Sequence, residues 1–221
     1  LRRGNRYLRN CKQRKLITIL TRKRRGRVLL APLFLYKNFK KMACDLTSGR
    51  AVKCKDQVGG LKNAYFINYD EMSGVTYNVT NTDVIATITG AGTINAYRWE
   101  LKGVSTFSEV FNSSRETGTS SAEGTLVLSL KTQSLADHKE IKLMTHGRPR
   151  VILEDHNGNF RLMGLEHGAE VTTANANSGA AMNDGSGYEV TLVSTEKIYA
   201  NFMEATDEAG LGTAGLTVVT A

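Results

Sequence analysis

The residues of this sequence best suited to metal or acid–base chemistry are its four histidines, His138, His146, His156 and His167. None belongs to a His-Glu-x-x-His pair, and the chain has no Cys-x-x-Cys motif, so no zinc-binding spacing occurs. The sequences "EDH" and "LEH" place Glu154 near His156 and Glu166 beside His167. Because neighbouring side chains of a strand point to opposite faces, this adjacency argues against a shared site. We therefore expect no metal site.

One glycine-rich run matches a cofactor motif by spacing alone. "GLGTAG", Gly210 to Gly215, has the glycine spacing of a dinucleotide-binding loop. It neither follows a strand of a βαβ unit nor opens a helix in the predicted pattern, so we expect no nucleotide cofactor there. The chain also contains no nucleophile elbow and no Walker loop. The sequence therefore predicts no catalytic residue, no cofactor and no enzymatic activity.

The cysteines leave two interpretations open. Cys44 and Cys54 flank "DLTSGRAVK" and could meet across a turn as a disulfide, while Cys11 lies in the basic N-terminal segment. The alternative is that Cys44 and Cys54 are free thiols in a reducing cytoplasm, and this is the interpretation we expect.

The elements that would position any site are mostly strands. Ten short apolar or alternating runs, each bounded by turn-forming residues, predict strands. They are Ala64–Tyr69, Gly74–Thr80, Val84–Thr89, Ile94–Lys102, Ser105–Phe111, Gly124–Thr132, Arg150–Asp155, Phe160–Leu165, Ala169–Ala174 and Tyr188–Thr195. Many short strands with turns between them are typical of antiparallel sandwiches and barrels. The predicted fold class is therefore mainly β, an antiparallel β-sandwich or barrel with one flanking α-helix.

That helix is predicted at about residues 134–146. Ser134 is a good N-cap, and Gly147 suits a left-handed position after the last turn. At 100° per residue Ile141, Leu143 and Met144 share one arc with Ala136, so we expect this face to pack against the sheet.

Turns and loops complete the body of the chain. Asn157-Gly158 between two apolar runs predicts a tight hairpin turn, whereas Asn112 to Gly124 and Asn175 to Gly187 read as long polar loops. Long loops often have an assembly role. We therefore propose as candidate inter-subunit residues the start of the first loop, Asn112, Ser113, Ser114, Arg115, Glu116 and Thr117.

The N-terminal 41 residues differ in character from the rest. They contain 15 of the 29 basic residues and no acid, so residues 42–221 have 14 basic and all 21 acidic residues, a net charge of −7. A secretory signal does not fit, because "KNFKK" is no small-residue cleavage site, and a lipoprotein signal does not fit, because Lys41 stands three places before Cys44 where an aliphatic residue is expected. The apolar run Val28 to Tyr36 is too short to span a bilayer. A nucleic-acid-binding arm remains an alternative, but we expect residues 1–41 to be a non-globular leader upstream of a start at Met42.

The expected domain organisation follows from these boundaries. Residues 1–41 form the basic leader, residues 42–205 form one β-sandwich or barrel domain, and residues 206–221 form a flexible C-terminal tail in which "LTVVTA" could add an edge strand.

Most of this body resembles a known family. The segments that carry the resemblance are "CKDQVGGLKNAYFINYDE", "NSSRETGT" and "HKEIKLMTHGRPRVILEDHNGNFRLMGLEHGAEVTTANANSGAAMNDGSGYEVTLVSTEK", within Cys54 to Lys197. They resemble a family of tailed-bacteriophage virion proteins from environmental phages of Bacteroidetes-type hosts, similar to tail-tube proteins. The basic residues 1–41 have no counterpart in this pattern.

The resemblance implies a structural protein of the virion that assembles in the host cytoplasm. It implies a homo-oligomer of six subunits per ring, stacked into a tube with other tail proteins, with no membrane partner. DNA would pass through the lumen without specific binding, and the net negative body agrees with a wall that repels phosphate. Two alternatives stay open, namely a nucleic-acid-binding protein that uses residues 1–41 and a carbohydrate- or host-binding β-sandwich module of the virion surface.

Overall fold

Strands dominate the computed structural model, which describes residues 48–52, 55–102 and 104–220. The fold lies within Val52–Ala221. Its strands are β1 Leu61–Ile67, β2 Gly74–Tyr77, β3 Val84–Thr89, β4 Ile94–Glu100, β5 Thr106–Ser114, β6 Thr119–Lys131, β7 Arg150–Asp155, β8 Phe160–Met163, β9 Glu170–Asn177, β10 Gly187–Glu196, β11 Asn201–Met203 and β12 Leu216–Val219. Its helices are α1 Leu135–His146 and α2 Glu208–Thr213, and Tyr69–Glu71 forms one 3₁₀ turn.

The predicted fold class is confirmed. An eight-stranded sheet has the order β12-β4-β1-β7-β8-β11-β3-β2, and a four-stranded sheet has the order β5-β6-β10-β9. All pairings in the four-stranded sheet are antiparallel, while the large sheet includes two parallel pairings, β11 with β3 and β12 with β4. All ten predicted strands are present, β12 lies within "LTVVTA", which the sequence offered as a possible edge strand, and β11 is an addition.

The central strands of the large sheet are buried on both faces. In β1 the side chains of Tyr65 and Ile67 belong to one hydrophobic cluster, and those of Ala64 and Phe66 belong to a second. This arrangement explains why "AYFI" reads as a continuous apolar run rather than as an alternation, because a strand covered on both sides has no face for polar residues.

The first cluster fills the inside of the curled large sheet. It contains Ile94 and Ala96 of β4 together with Ile85 and Ile88 of β3, so strands five positions apart in the sheet contribute to one core. The Ile88 amide also donates to the Ala214 carbonyl at 2.8 Å, which ties β3 to the segment just before β12. The curl is therefore held by both packing and backbone hydrogen bonding.

The second cluster joins the outer face of the large sheet to the four-stranded sheet and to α1. Leu126 and Leu128 of β6 and Leu192 of β10 are completely buried in it. Helix α1 contributes Ile141, which is buried, and Met144, which is half-buried. The prediction is wrong for the other two residues of this face, since Ala136 is exposed and Leu143 is 58% exposed. Leu143 and the neighbouring Leu135, 89% exposed, therefore lie on an uncovered side of the helix.

The ends of α1 match the prediction at one end only. The Ser134 side chain accepts a hydrogen bond from the Asp137 amide at 3.0 Å, which confirms the predicted N-cap. Gly147 has φ −98°, so the predicted left-handed conformation is wrong. Its amide donates to the Leu143 and Met144 carbonyls while the backbone turns directly into the extended approach to β7.

The predicted hairpin turn at Asn157-Gly158 joins β7 to β8. Asp155 Oδ1 accepts from the amides of Asn157 and Asn159 at 2.8 and 2.9 Å, and Gly158 has φ +76°. Glycine is needed at this position because other residues are strained at positive φ. Burial alone would raise the pKa of Asp155, but its bonds to Asn159 and Asn157 outweigh burial and lower that pKa.

The C-terminal segment corrects the prediction of a flexible tail. Residues 206–221 were expected to form a flexible tail, but they include α2 and β12, and Leu211 of α2 is completely buried in the first cluster. "GLGTAG" therefore lies within α2 and the turn after it, where Gly215 has φ +94° and a Cβ would lie 2.7 Å from the Ile88 carbonyl oxygen. The last of these glycines serves close backbone packing.

Three sequence predictions fall on residues outside the described range. They concern the basic residues 1–41, a start at Met42, and the state of the cysteines. The second predicted loop is shorter than expected because β9 extends to Asn177 and β10 begins at Gly187. Within the part of the chain that the structure describes, neither helix is long and apolar enough to cross a membrane.

Candidate functional site

The predicted inter-subunit residues lie at the tip of a long hairpin. Asn112, Ser113 and Ser114 form the end of β5 and pair with Ser121, Ser120 and Thr119 of β6. Arg115, Glu116 and Thr117 form the turn, which Gly118 closes at φ +66°. The prediction of a loop from Asn112 to Gly124 is therefore wrong.

The hairpin forms because the alternation of core-facing and outward-facing side chains in β6 continues beyond its apolar residues. Ala122 and Gly124 face the core side like Leu126 and Leu128, and the Ser and Thr residues between them suit an extended strand. Pairing between β6 and β10 ends at Ala122 with Glu196, whereas pairing between β5 and β6 continues to Thr119. The last turn of the hairpin, Ser113–Ser120, therefore projects beyond the sheet, and we call it the hairpin tip.

Both edges of the four-stranded sheet are open within the described residues. Strand β5 pairs only with β6, and β9 pairs only with β10. Over nine residues of β5 and eight of β9 there is no Lys, Arg or Pro. Lys and Pro are two of the means by which natural sheets prevent edge pairing. Two other means are present, a bulge in β9 and the inward-pointing Glu109 of β5, and the rest of each edge offers backbone donors and acceptors.

The two edges also have compatible directions. Because each neighbour in the order β5-β6-β10-β9 is antiparallel, β5 and β9 run in opposite directions. A second sheet placed in the same orientation beside the first would bring its β5 next to β9 as an antiparallel pair. Such a pair continues the pattern of the sheet and can be repeated without limit.

The face of this sheet that points away from the core carries polar and acidic residues. The outward positions of β6 and β10 are Thr, Ser and Val with the exposed acids Glu123 and Glu189. Glu170 of β9 lies on the same face because it pairs with Val193. Lys131 is the single basic residue at the paired outward positions of the four strands, so the face is net acidic.

A surface cleft lies at the β5 side of the sheet. It has a volume of about 140 Å³ and is lined by Tyr77, Glu109, Leu165, Glu196, Ile198 and Tyr199, among others. The Tyr199 ring is half exposed and lies 5.5 Å from that of Phe111, measured between ring centroids. Glu109 Oε1 accepts from the Ala200 amide at 2.7 Å and holds the segment before β11 against β5. We call this cleft the Tyr199 groove.

Three potential metal ligands lie at the rim of the groove. Ligand atoms of Glu166, His167 and Glu196 all lie within 4.8 Å of one another. This corrects the expectation that Glu166 and His167 cannot share a site, which assumed a strand, whereas both residues lie in the turn after β8. Glu196 Oε1 already accepts from both amides of this turn, at 3.0 and 2.9 Å, and Lys197 pairs with Glu166 at 3.1 Å. Competition from these donors makes the cluster better suited to fixing the turn than to holding a cation.

Among the acids that the structure describes, the buried Glu154 accepts the most hydrogen bonds from side chains. It accepts from Lys62 and Asn63 at 2.6 Å and from the Tyr65 hydroxyl at 3.0 Å. Burial acts to raise the pKa of Glu154, but these three donors outweigh burial and lower it below the ordinary glutamate value. Burial and the carboxylate together raise the pKa of Tyr65, which keeps its hydroxyl a donor. The partners fill both carboxylate oxygens and connect β1 with β7.

Arg150 is a second buried charged residue, and its contacts hold neighbouring backbone segments together. Its guanidinium donates to the carbonyls of Leu165, Tyr69 and Met72 at 3.1, 2.7 and 2.8 Å, and it lies 4.3 Å from the centroid of the Tyr69 ring. Burial lowers the pKa of Arg150 from its usual value. The planar guanidinium group therefore holds the 3₁₀ turn and the segment after β8 against β7.

The sequence patterns identified the hairpin tip but not the open edges or the groove. Strand order decides which strands are edges, and Phe111 meets Tyr199 across a separation that no local pattern spans. The comparison with known proteins adds no identity, because neither a protein-family model nor a curated protein matches the chain.

Proposed function

We propose that this chain is a structural protein of a phage virion, tail-tube-like, whose subunits join edge to edge into rings that stack into a tube. The observation that carries the proposal is the four-stranded sheet with two open and oppositely directed edges, β5 and β9. These edges are different surfaces of one subunit, so their pairing is heterologous and produces a closed ring or an open filament.

The size of such a ring agrees with a channel. Six subunits with four strands each would form a barrel of about 24 strands, more than the roughly 16–18 strands that already leave an aqueous channel. The large sheet and α1 cover one face of the small sheet. The bulk on this side favours a ring in which the bare face lines the inside.

The charge of the bare face supports passage of DNA through the lumen. Glu123, Glu170 and Glu189 are exposed on it, against the single Lys131. Carboxylates repel phosphate, and the Thr and Ser residues between them offer no cationic binding site. The hairpin tip projects along the strand direction beyond the sheet. We assign it the contact with the next ring.

An edge-blocking variant tests ring formation. Thr173→Lys with Asn175→Lys places two charges on β9, and Thr217→Lys with Val219→Lys places two on β12, an edge strand of the other sheet. Full-length proteins would be compared by analytical ultracentrifugation and negative-stain electron microscopy. We expect rings or tubes from the parent chain and the β12 variant, and folded monomers from the β9 variant. A parent chain that stays monomeric at high concentration would refute the proposal and favour a surface-binding module.

A shortened hairpin separates ring formation from stacking. Asn112 and Ser121 are paired across the hairpin, so replacing Ser113–Ser120 with Asn-Gly joins them through a two-residue turn. We expect this variant to form single rings that do not stack, because β5 and β9 keep their edges. Tubes of normal length from the variant would contradict the role of the hairpin tip.

A further inference from the structure

We infer that the Tyr199 groove binds the C-terminal half of helix α1 from the neighbouring copy of this chain. The inference rests on the proposed function, since it assumes that β5 of one subunit meets β9 of the next. It adds a second contact between subunits, made by side chains on the core side of the sheet.

The helix has an exposed side that nothing in the described residues covers. Leu135, Lys139, Lys142, Leu143 and His146 fall within one arc of α1 and are all exposed. Ile141 and Met144 on the other side of the helix pack into the core. The exposed side therefore presents apolar surface together with two lysines.

The groove has the complementary composition. Tyr199, Ile198 and Phe111 supply partly exposed apolar surface. Among its charged lining residues, Glu109, Glu166 and Glu196 outnumber Lys197. A basic and apolar helix face is thus matched in charge and in character by an acidic and apolar groove.

Sheet register places the two surfaces at the same level and on the same face. Glu109 pairs with Gly124, which pairs with Ser194, and the next residue, Val193, pairs with Glu170. The C-terminal end of α1 lies beside Glu170 and Val171, which share a small pocket with Thr145 and His146. Val171 pairs with Leu192 and packs against the second cluster, so it lies on the core side of the sheet, as Glu109 does. The groove and the end of α1 therefore lie at opposite edges of one sheet, and edge-to-edge joining brings the groove of one subunit to the α1 of the next.

Cysteine crosslinking tests this contact in the full-length chain with its three native cysteines changed to serine. Leu143→Cys combined with Tyr199→Cys should give a ladder of disulfide-linked oligomers on a non-reducing gel. Leu135→Cys with Tyr199→Cys is the control, because Leu135 is more exposed than Leu143, 89% against 58%, but lies eight residues, or about 12 Å, nearer the N-terminus of α1. We expect the control pair to crosslink at least about fivefold less.

A charge variant gives a second measurement in the native chain. Lys142→Glu removes an exposed charge that faces the acidic groove in the joined arrangement, and we expect it to raise the concentration needed for assembly by roughly threefold to tenfold. The inference would be overturned if rings form but the Leu143→Cys, Tyr199→Cys pair gives no disulfide-linked oligomers and Lys142→Glu has no effect on assembly. Ring formation itself would stand. A parent chain that forms no rings would overturn the proposed function and this inference with it.

Discussion

Leu211→Ala provides the sharpest test of how the C-terminal segment is built into the fold. The Leu211 side chain is completely buried in the core of the curled sheet, although it lies in a segment that the sequence predicts to be a tail. Removing three buried carbon groups costs about 2.4 kcal/mol at roughly 0.8 kcal/mol per group. The cavity left inside a curl held by surrounding strands adds to this, so we expect a loss of about 3–5 kcal/mol.

Urea unfolding followed by circular dichroism measures this loss. With a slope of about 2 kcal/mol per molar, the midpoint should fall by about 1.5 M or more. Leu143→Ala is the matched control, since this leucine is 58% exposed and its loss should cost less than about 0.5 kcal/mol. Equal midpoints for the Leu211→Ala variant and the parent, together with an unchanged midpoint after deletion of residues 206–221, would refute the placement of α2 in the core.

Three further variants test the buried charges and the bare face. Glu154→Gln should cost about 1.5–3 kcal/mol at neutral pH, because hydrogen bonds to a charged group are lost. The pKa of Glu154 is lowered in the folded state, so its contribution to the free energy of unfolding is present above pH 4.5 and is lost as pH falls through the folded pKa. This pH-dependent loss of stability should be absent from the acid unfolding curve of the variant. Arg150→Lys should lower the free energy of unfolding by about 2 kcal/mol in the same assay, since a single ammonium group cannot donate to the three carbonyls that the planar guanidinium reaches. If the proposed tube forms, Glu123→Lys with Glu189→Lys should leave its assembly intact but make it bind duplex DNA in gel shift at low salt, and unchanged DNA binding would contradict the proposed lumen position of these two residues.

The parts of the fold that depend on neighbours in sequence could be predicted. Ser134 caps α1, and Asn157-Gly158 turns β7 into β8, because each signal acts within a few residues. The same reasoning failed for the face of α1, where an arc of apolar residues predicted burial of Leu143. Helical periodicity indicates which residues share a side, but the extent of the surface beneath the helix decides how many of them are covered.

The candidate site was predictable only in outline. Residues Asn112 to Thr117 are polar and all but Ser114 are exposed, but the pairing of Asn112, Ser113 and Ser114 with β6 depends on a register that extends from Leu126 outward. The acids of the bare face could not be assigned from composition, because the side of the sheet that lacks a covering layer is a property of the packed molecule.

The sequence by itself determined the β class, the ten main strands, the position of α1 and the contrast between a basic N-terminal segment and an acidic body. These follow from periodicity, turn chemistry and charge, which act locally along the chain. The tertiary structure alone decided that β5 and β9 are edges, that Leu211 is core and that Phe111 meets Tyr199. The physical reason is that strand order and the closing of the curled sheet depend on long-range burial, where residues far apart in the chain compete for the same apolar surface.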